Sequence, residues 1–100
     1  MTASFRIDRY VADVLLRDLV GHDRSPAAFL VYFFLSAQCS RVRSGEVELS
    51  LAEIADRTGL SKRAVQLALA HLRRRRLIRS TQEHRTATPL HSIARPWRGH

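Results

Sequence analysis

The most constraining feature of this sequence is the segment from Ser50 to Arg76, which predicts two short helices joined by a tight turn. Ser50 and Glu53 have the spacing of a capping box, in which each side chain accepts a hydrogen bond from the other residue's backbone N–H. Gly59 offers the left-handed backbone position that ends a helix, and Ser61 is a suitable cap for the next one. Both helices therefore have defined starts, and the turn between them is short.

Apolar residues at helical spacing predict which faces of these two helices lie inside. In the first helix the inner face is formed by Leu51, Ile54 and Ala55, and in the second by Val65, Ala68, Leu69 and Leu72. The outer face of the second helix then carries Ser61, Lys62, Arg63, Gln66 and Ala70. Leu67 lies at the edge of that outer face, and we expect it to pack partly inside.

Two further helices are predicted upstream. The first runs from an Asp8 cap to Gly21, with an apolar stripe at Ile7, Val11, Val14, Leu15 and Leu19 that is widened by Tyr10, Leu16 and Val20. Such a wide stripe fits either a self-association surface or a helix buried deep in its own domain.

The second upstream helix begins with Ser25 as cap and Pro26 at the first helical position. Its sequence, AAFLVYFFLSA, is apolar almost all round, which predicts a central, buried helix. Cys39 near its end is predicted to be a packed side chain and not a reactive thiol.

The remaining segments predict a small β-structure. After a loop at 41–45, residues 46–49 alternate in polarity as a short strand does. Beyond Arg76, the chain predicts a hairpin with its tip at 84–89 and a returning strand at 90–94. The expected fold is mainly α with a small β-hairpin (α+β), as one domain over residues 1–95 with a tail at 96–100.

Trp97 in that tail either covers its own domain, contributes to a dimer surface or is disordered with the tail.

Positive charge is concentrated at the C-terminal end of the chain. Residues 1–60 hold seven arginines and eight acidic residues, a net charge of −1. Residues 61–100 hold ten basic residues and one acid, a net charge of +9, which brings the 100-residue chain to +8 at pH 7. Because the excess is confined to one end, it indicates a polyanionic partner more than it indicates general solubility or an arginine-rich genome.

Composition and length exclude other classes of protein. Cys39 is the only cysteine, so an intramolecular disulfide is impossible, as suits a reducing compartment. The N-terminus MTASFRIDRY has no secretory signal pattern, and the longest apolar run, residues 27–35, is too short to span a bilayer. These features predict a cytoplasmic protein.

The predicted order of helix, helix, strand, helix, helix, strand, strand resembles the winged helix-turn-helix family of bacterial DNA-binding domains. The resemblance covers residues 8–95, and its most specific part is 51–72, where Ala55, Gly59 and Val65 have the family's spacing. In that family Ala55 corresponds to the small residue where the helices cross, and Leu60 to the residue beneath the turn. The resemblance implies double-stranded DNA as the partner, with the helix at about 61–76 in the major groove.

Chemistry assigns roles within that DNA-binding surface. Ser61, Lys62 and the first-turn amides suit a phosphate, whereas Arg63 and Gln66 suit guanine and adenine edges. Four consecutive helical residues span about 300°, so only one or two of Arg73–Arg76 are expected to reach the DNA backbone. Cations at a helix C-terminus are also favourable by themselves. The hairpin corresponds to the wing of this family, and its tip at 84–89 is expected to contact the DNA backbone or minor groove. The predicted DNA-binding residues are Ser61, Lys62, Arg63, Gln66, Arg73, Arg74 and Arg85, the last near the hairpin tip with Thr86 and Thr88.

Several functional alternatives stay open. A transcriptional regulator, the DNA-binding domain of a plasmid or phage replication initiator, and a winged helix that binds protein all fit the sequence. An enzyme does not, because the five histidines have no metal-ligand spacing and there is no glycine-rich phosphate loop. We expect no cofactor, no metal and no small-molecule effector. A homodimer is also compatible with the sequence, because helix-turn-helix proteins that bind as dimers recognise two half-sites and therefore a longer DNA sequence.

Overall fold

The computed structural model describes residues 3–99, so Met1, Thr2 and His100, which belong to the predicted domain and tail, lie outside that range. Within it the chain forms four helices and a three-stranded antiparallel sheet. The predicted α+β class, mainly helical with a small β-structure, is confirmed. No helix in this range combines the length and the apolar character that crossing a membrane requires.

The N-terminal helix has π-type hydrogen bonding in two stretches, Val11–Leu15 and Arg17–His22. Its backbone bonds join residue i to residue i+5, so it has more residues per turn than an α-helix, and residues four apart stay on one face. Accordingly Val11, Leu15 and Leu19 are all buried. The helix predicted here is present, but its hydrogen bonding is not of the α type.

The outer flank of the N-terminal helix stays on the surface. Tyr10, Leu16 and Val20 are between 36% and 41% exposed, so the helix is not buried all round. Self-association through this flank remains a prediction. The helix starts directly after Asp8, as predicted, and the Asp8 backbone carbonyl accepts from the Val11 N–H at 2.9 Å. The Asp8 side chain does not cap it, because the carboxylate bonds to the C-terminal end of the chain instead.

Helix α1, Pro26–Cys39, is the central helix of the fold. It begins as predicted, with the Ser25 hydroxyl accepting a hydrogen bond from the Ala28 N–H. Val31, Tyr32 and Leu35 are almost fully buried against the other helices and the sheet. The predicted central, buried helix is confirmed, although Leu30 and Phe33 project outwards and are 48% and 44% exposed.

Helices α2, Leu51–Thr58, and α3, Lys62–Arg74, form the pair predicted from the caps. The Ser50–Glu53 capping box is present in both directions, at 2.9 and 3.1 Å. Gly59 has the expected left-handed backbone, with φ of 82°. The inner faces agree with the predicted pattern, since Ile54 of α2 and Val65, Ala68, Leu69 and Leu72 of α3 are buried.

The sheet consists of β1, Glu46–Glu48, β2, Ile78–Thr81, and β3, Leu90–Ile93, with β3 in the centre. The predicted hairpin is confirmed, and the register places Ser80 opposite His91 and Arg79 opposite Ser92. Because neighbours along a strand alternate sides, Ser80 and His91 face α3 whereas Arg79 and Ser92 share the other face. The two faces of this small sheet therefore carry different chemistry.

The C-terminal segment folds back over the N-terminal helix. A short 3-10 turn, Pro96–Arg98, brings the Trp97 ring into a stack on Tyr10, with centroids 4.6 Å apart. The Trp97 Nε1–H donates to Asp8 at 2.8 Å, and Arg98 forms a two-point ion pair with the same carboxylate. Of the three predictions for Trp97, the structure shows the one in which it covers its own domain.

Candidate functional site

The exposed face of α3 presents a cation, a guanidinium and an amide in succession. Lys62, Arg63 and Gln66 are all exposed, whereas Val65 on the opposite side is fully buried. The Arg63 guanidinium donates to the Gln66 side-chain carbonyl over 3.2 Å, so the two groups already lie side by side. A guanidinium has five N–H donors, and this bond leaves most of them free.

The start of α3 is an uncompensated positive site. Ser61 caps the helix by accepting from the Ala64 N–H at 3.0 Å, and this leaves its own O–H free to donate. The first-turn N–H groups of a helix have no partner inside the helix and carry the positive end of its dipole. The first turn of α3, which lies wholly within the described residues, contains no acid to balance that charge.

Leu67 differs from its predicted position. It was expected to pack partly inside, yet its side chain is 53% exposed. The reason is its place on the helix, since Val65, Ala68, Leu69 and Leu72 already fill the inner stripe and Leu67 falls outside it. Leu67 is therefore an exposed apolar group beside Gln66, of the kind that can contact a thymine methyl.

The four arginines that end α3 point in different directions, as their spacing requires. Arg73 lines a cleft between α3 and the hairpin, and Arg74 is exposed with one N–H bonded to the His71 Nδ1 at 3.2 Å. Arg75 turns towards the body of the protein and forms ion pairs with Asp23 and Asp18. Of the four arginines, only Arg73 and Arg74 thus stay available to DNA on the predicted binding side. Arg76 lies at the base of the hairpin, beside Arg79 and Arg95.

Asp23 is the anchor for the C-terminal end of α3. Its side chain is 8% exposed and accepts hydrogen bonds from His22 at 2.9 Å, from His71 at 2.7 Å and from Arg75. The hydrogen bond from His22, followed by those from His71 and Arg75, lowers the pKa of Asp23 from 3.8 to about 2. We call these four residues the Asp23 cluster. It joins the end of the N-terminal helix to α3, which no local sequence signal indicated.

A cleft of about 440 Å³ separates α3 from the hairpin and is lined on one side by Gln66 and Arg73. Ser80, Thr81 and Gln82 line the other side. The structure therefore brings two of the predicted DNA-binding residues to a concave surface shared with the hairpin. Lys62 and Arg63 do not line this cleft, and Arg85 lies apart on the exposed hairpin tip with Thr86 and Thr88.

His91 forms the floor of this cleft and was missed by the sequence reasoning. It is 1% exposed, with Nε2 3.1 Å from the Leu49 carbonyl oxygen and Nδ1 2.8 Å from the Ser80 hydroxyl. A carbonyl only accepts, so Nε2 carries the proton and Nδ1 accepts from Ser80. Burial lowers the pKa of His91, which favours the neutral ring. The network fixes β2 and β3 against the start of α2.

Cys39 has the packed position that the sequence predicted. Its thiol is buried and lies 3.8 Å from the His91 carbonyl oxygen, and burial raises its pKa. Among residues 3–99, no three His, Cys, Asp or Glu side chains come together as a group that could hold a metal ion.

Comparisons of the chain with protein-family models, with curated proteins and with solved structures found no match.

Proposed function

We propose that this protein binds double-stranded DNA as a winged helix-turn-helix domain, with α3 in the major groove. The observation that carries the proposal is the exposed, acid-free start of α3, where Ser61, Lys62, Arg63 and Gln66 present donors to one side. An α-helix with its side chains is about 10–12 Å wide, and the major groove is about 12 Å wide. The hairpin tip with Arg85 then contacts the backbone or the minor groove.

Base recognition is assigned to the side chains at the first turns of α3. Arg63 is suited to two hydrogen bonds with guanine and Gln66 to two with adenine, each contributing about 1–3 kcal/mol of discrimination. A hydrogen bond between the two side chains places them next to each other in the free protein. Leu67, exposed beside them, adds an apolar contact for a thymine methyl.

Phosphate contacts are assigned to the cations around that reading surface. The Ser61 hydroxyl, Lys62 and the free N–H groups of the first turn suit one phosphate. Arg73 and Arg74 near the end of α3 and Arg85 on the hairpin tip suit others. These contacts position the protein on the duplex and do not depend on base sequence.

The proposal is tested by fluorescence anisotropy of the full chain with a labelled random duplex at several salt concentrations. If five or six cations contact phosphates, log affinity falls with log salt with a slope of about −5. A slope near zero would overturn the proposal. An unlabelled polyglutamate chain is the competitor that represents an acidic protein. If it displaces the duplex as well as DNA of equal charge does, the surface binds polyanions by charge alone and is not specific for DNA.

Selection of preferred sites from a random duplex library addresses specificity and dimerisation together. A palindromic product is expected if two copies bind as a symmetric dimer, because operator symmetry follows protein symmetry. A single asymmetric site indicates a monomer on DNA. Failure to enrich any sequence would contradict base reading by Arg63 and Gln66.

A further inference from the structure

A second cationic surface lies at the base of the hairpin, beside the end of α3. It is a cleft of about 470 Å³ lined by Arg76, Arg79, Arg95 and Arg98, with Pro96 and other apolar groups between them. We call it the arginine cleft. The 13 residues of α3 make a helix about 20 Å long, so this cleft is well separated from Lys62 and Arg63.

Three of the four arginines form no ion pair with an acid among residues 3–99. Arg98 is neutralised by Asp8 through two hydrogen bonds of 2.6 and 2.9 Å. Within residues 3–99, no carboxylate lies within ion-pair distance of Arg76, Arg79 or Arg95. Three guanidinium groups around one cleft repel each other, and an anion bound between them removes that repulsion.

The backbone at Arg76 is of a kind that glycine adopts more easily than arginine. Arg76 follows α3 with φ of 58°, in the left-handed region where glycine is the default residue at a helix end. The Leu77 N–H closes this end on the Leu72 carbonyl at 2.9 Å. A residue with a side chain is disfavoured at such a position, and strain of this kind concentrates at ligand sites. The side chain at this position, Arg76, lines the cleft.

A neighbouring cleft of about 410 Å³ adds a different chemistry. It shares Arg79 and Arg95 with the arginine cleft and is also lined by Ser44, Glu46 and Ser92. A carboxylate accepts hydrogen bonds from sugar hydroxyls or base amino groups, and serine hydroxyls donate or accept. The two clefts together are cationic at one end and rich in acceptors at the other.

We propose that these adjoining clefts bind a small phosphate ester of the nucleotide class. The phosphate lies among Arg76, Arg79 and Arg95, and the sugar and base lie towards Ser92 and Glu46. A phosphate monoester carries about −1.5 to −2 charge at neutral pH, which matches a cluster of several cations. The volumes fall within the range of about 300–1,000 Å³ that is typical of ligand pockets. This proposal replaces the expectation from the sequence that the chain has no small-molecule effector, and it does not rest on DNA binding.

The test is a titration of the full chain, without DNA, with fluorescent N-methylanthraniloyl-ADP. Saturable binding is expected, with displacement by inorganic pyrophosphate and much weaker displacement by adenosine. Arg79→Ala should weaken binding at least about tenfold, because a hydrogen-bonded charge is removed from the phosphate. Arg17→Ala is the matched control. It removes the same charge from an exposed position on the N-terminal helix that lines none of the clefts, and it should change binding less than about twofold.

Arg76→Gly separates ligand binding from folding. Glycine adopts the left-handed backbone without steric strain, so the variant should keep or raise the melting temperature. Because the substitution removes the Arg76 guanidinium, it should weaken nucleotide binding. Absence of saturable binding would overturn the proposal, and so would equal losses in Arg79→Ala and Arg17→Ala. Displacement of the labelled nucleotide by a random duplex but not by pyrophosphate would assign the clefts to a nucleic-acid backbone and would also overturn it.

Discussion

The two ends of α3 are both rich in cations but use them in opposite ways. At the C-terminal end, the positive charge of Arg75 interacts favourably with the negative end of the helix dipole and forms ion pairs with Asp23 and Asp18. At the N-terminal end, Lys62 and Arg63 are exposed next to the positive end of the dipole, with no acid in the first turn. The first arrangement stabilises the fold. The arrangement of Lys62 and Arg63 destabilises the helix locally, by a few tenths of a kcal/mol or more for each charge.

This difference separates charges that serve the fold from charges that are available to a partner. A cation placed against the helix dipole contributes nothing to stability in the free protein, whereas a bound phosphate turns the same position into a favourable one. Substitutions in the Asp23 cluster, which holds the C-terminal end through Arg75, should therefore change stability more than binding. Substitutions at the N-terminal end should change binding and leave stability unchanged or improved.

Asp23→Ala should have the greatest effect on stability. It leaves Arg75 and His71 without their shared partner and removes the link between α3 and the N-terminal helix. We expect a loss of about 2–4 kcal/mol in the free energy of unfolding, and a melting temperature lower by about 10–20 °C, measured by circular dichroism. Asp13→Ala, which breaks the exposed pair with Arg9, should cost less than about 1 kcal/mol. Equal losses would contradict an anchoring role for Asp23.

Arg63→Ala should affect binding without destabilising the fold. At a selected DNA site we expect a loss of about 1–3 kcal/mol, or about five- to 150-fold in affinity, with a smaller loss on random duplex. The melting temperature should not fall, because the side chain is exposed and opposes the helix dipole. Arg17→Ala serves as the equal-charge control in the same anisotropy assay. Equal losses on selected and random DNA would make Arg63 a phosphate contact.

Two substitutions of Ser61 test the N-terminal end of α3 directly. Ser61→Ala removes the hydrogen bond to the Ala64 N–H and should cost about 1 kcal/mol of stability. Ser61→Asp keeps the cap, adds a favourable charge for the dipole and should restore or raise the melting temperature. The same charge repels phosphate, so DNA affinity should fall below that of Ser61→Ala. If Ser61→Asp binds DNA as tightly as the parent chain, no phosphate lies at this helix start.

Acid should weaken the Asp23 cluster gradually. The pKa of Asp23 is about 2 in the folded protein and 3.8 as its ordinary value, so the unfolded chain binds more protons between these limits. Its contribution to stability is complete above about pH 5 and is lost as the pH falls towards 2. Urea denaturation at pH 7 and pH 3 should show this loss. In Asp23→Asn the loss should be smaller and should reflect mainly Asp8, whose pKa is also about 2. An unchanged pH dependence in Asp23→Asn would contradict the assignment.

Sequence reasoning was most accurate for the α2–α3 pair. Ser50, Glu53 and Ser61 make the predicted cap bonds, and Gly59 has the predicted backbone. These features depend on residues three to four apart, so their energetics are contained in the local sequence. For the same reason the exposed face with Lys62, Arg63 and Gln66 was predictable, since a filled inner stripe leaves these residues outside.

The errors arose where partners are far apart in the chain. Asp8 was predicted to cap a nearby helix, yet it bonds to Trp97 and Arg98 about ninety residues later. Helix α1 was correctly predicted to be the central, buried helix, but its almost entirely apolar sequence did not show that Leu30 and Phe33 would stay exposed. The helix propensity of a segment does not predict which other elements pack against the helix or which of its faces they cover.

The sequence alone thus determined where α2 and α3 begin, how α2 ends, which of their faces are apolar and which end of the chain is cationic, because caps and periodicity act over a few residues. The tertiary structure decided which cations are free. Asp23 joins His71 and Arg75 across about fifty residues, His91 holds the hairpin against Leu49, and the return of the chain brings Arg95 beside Arg79. A cation stabilises the fold when packing places an acidic side chain next to it, and it is available to a ligand when packing does not. The distance between a cation and an acid in the folded protein cannot be read from their spacing along the sequence.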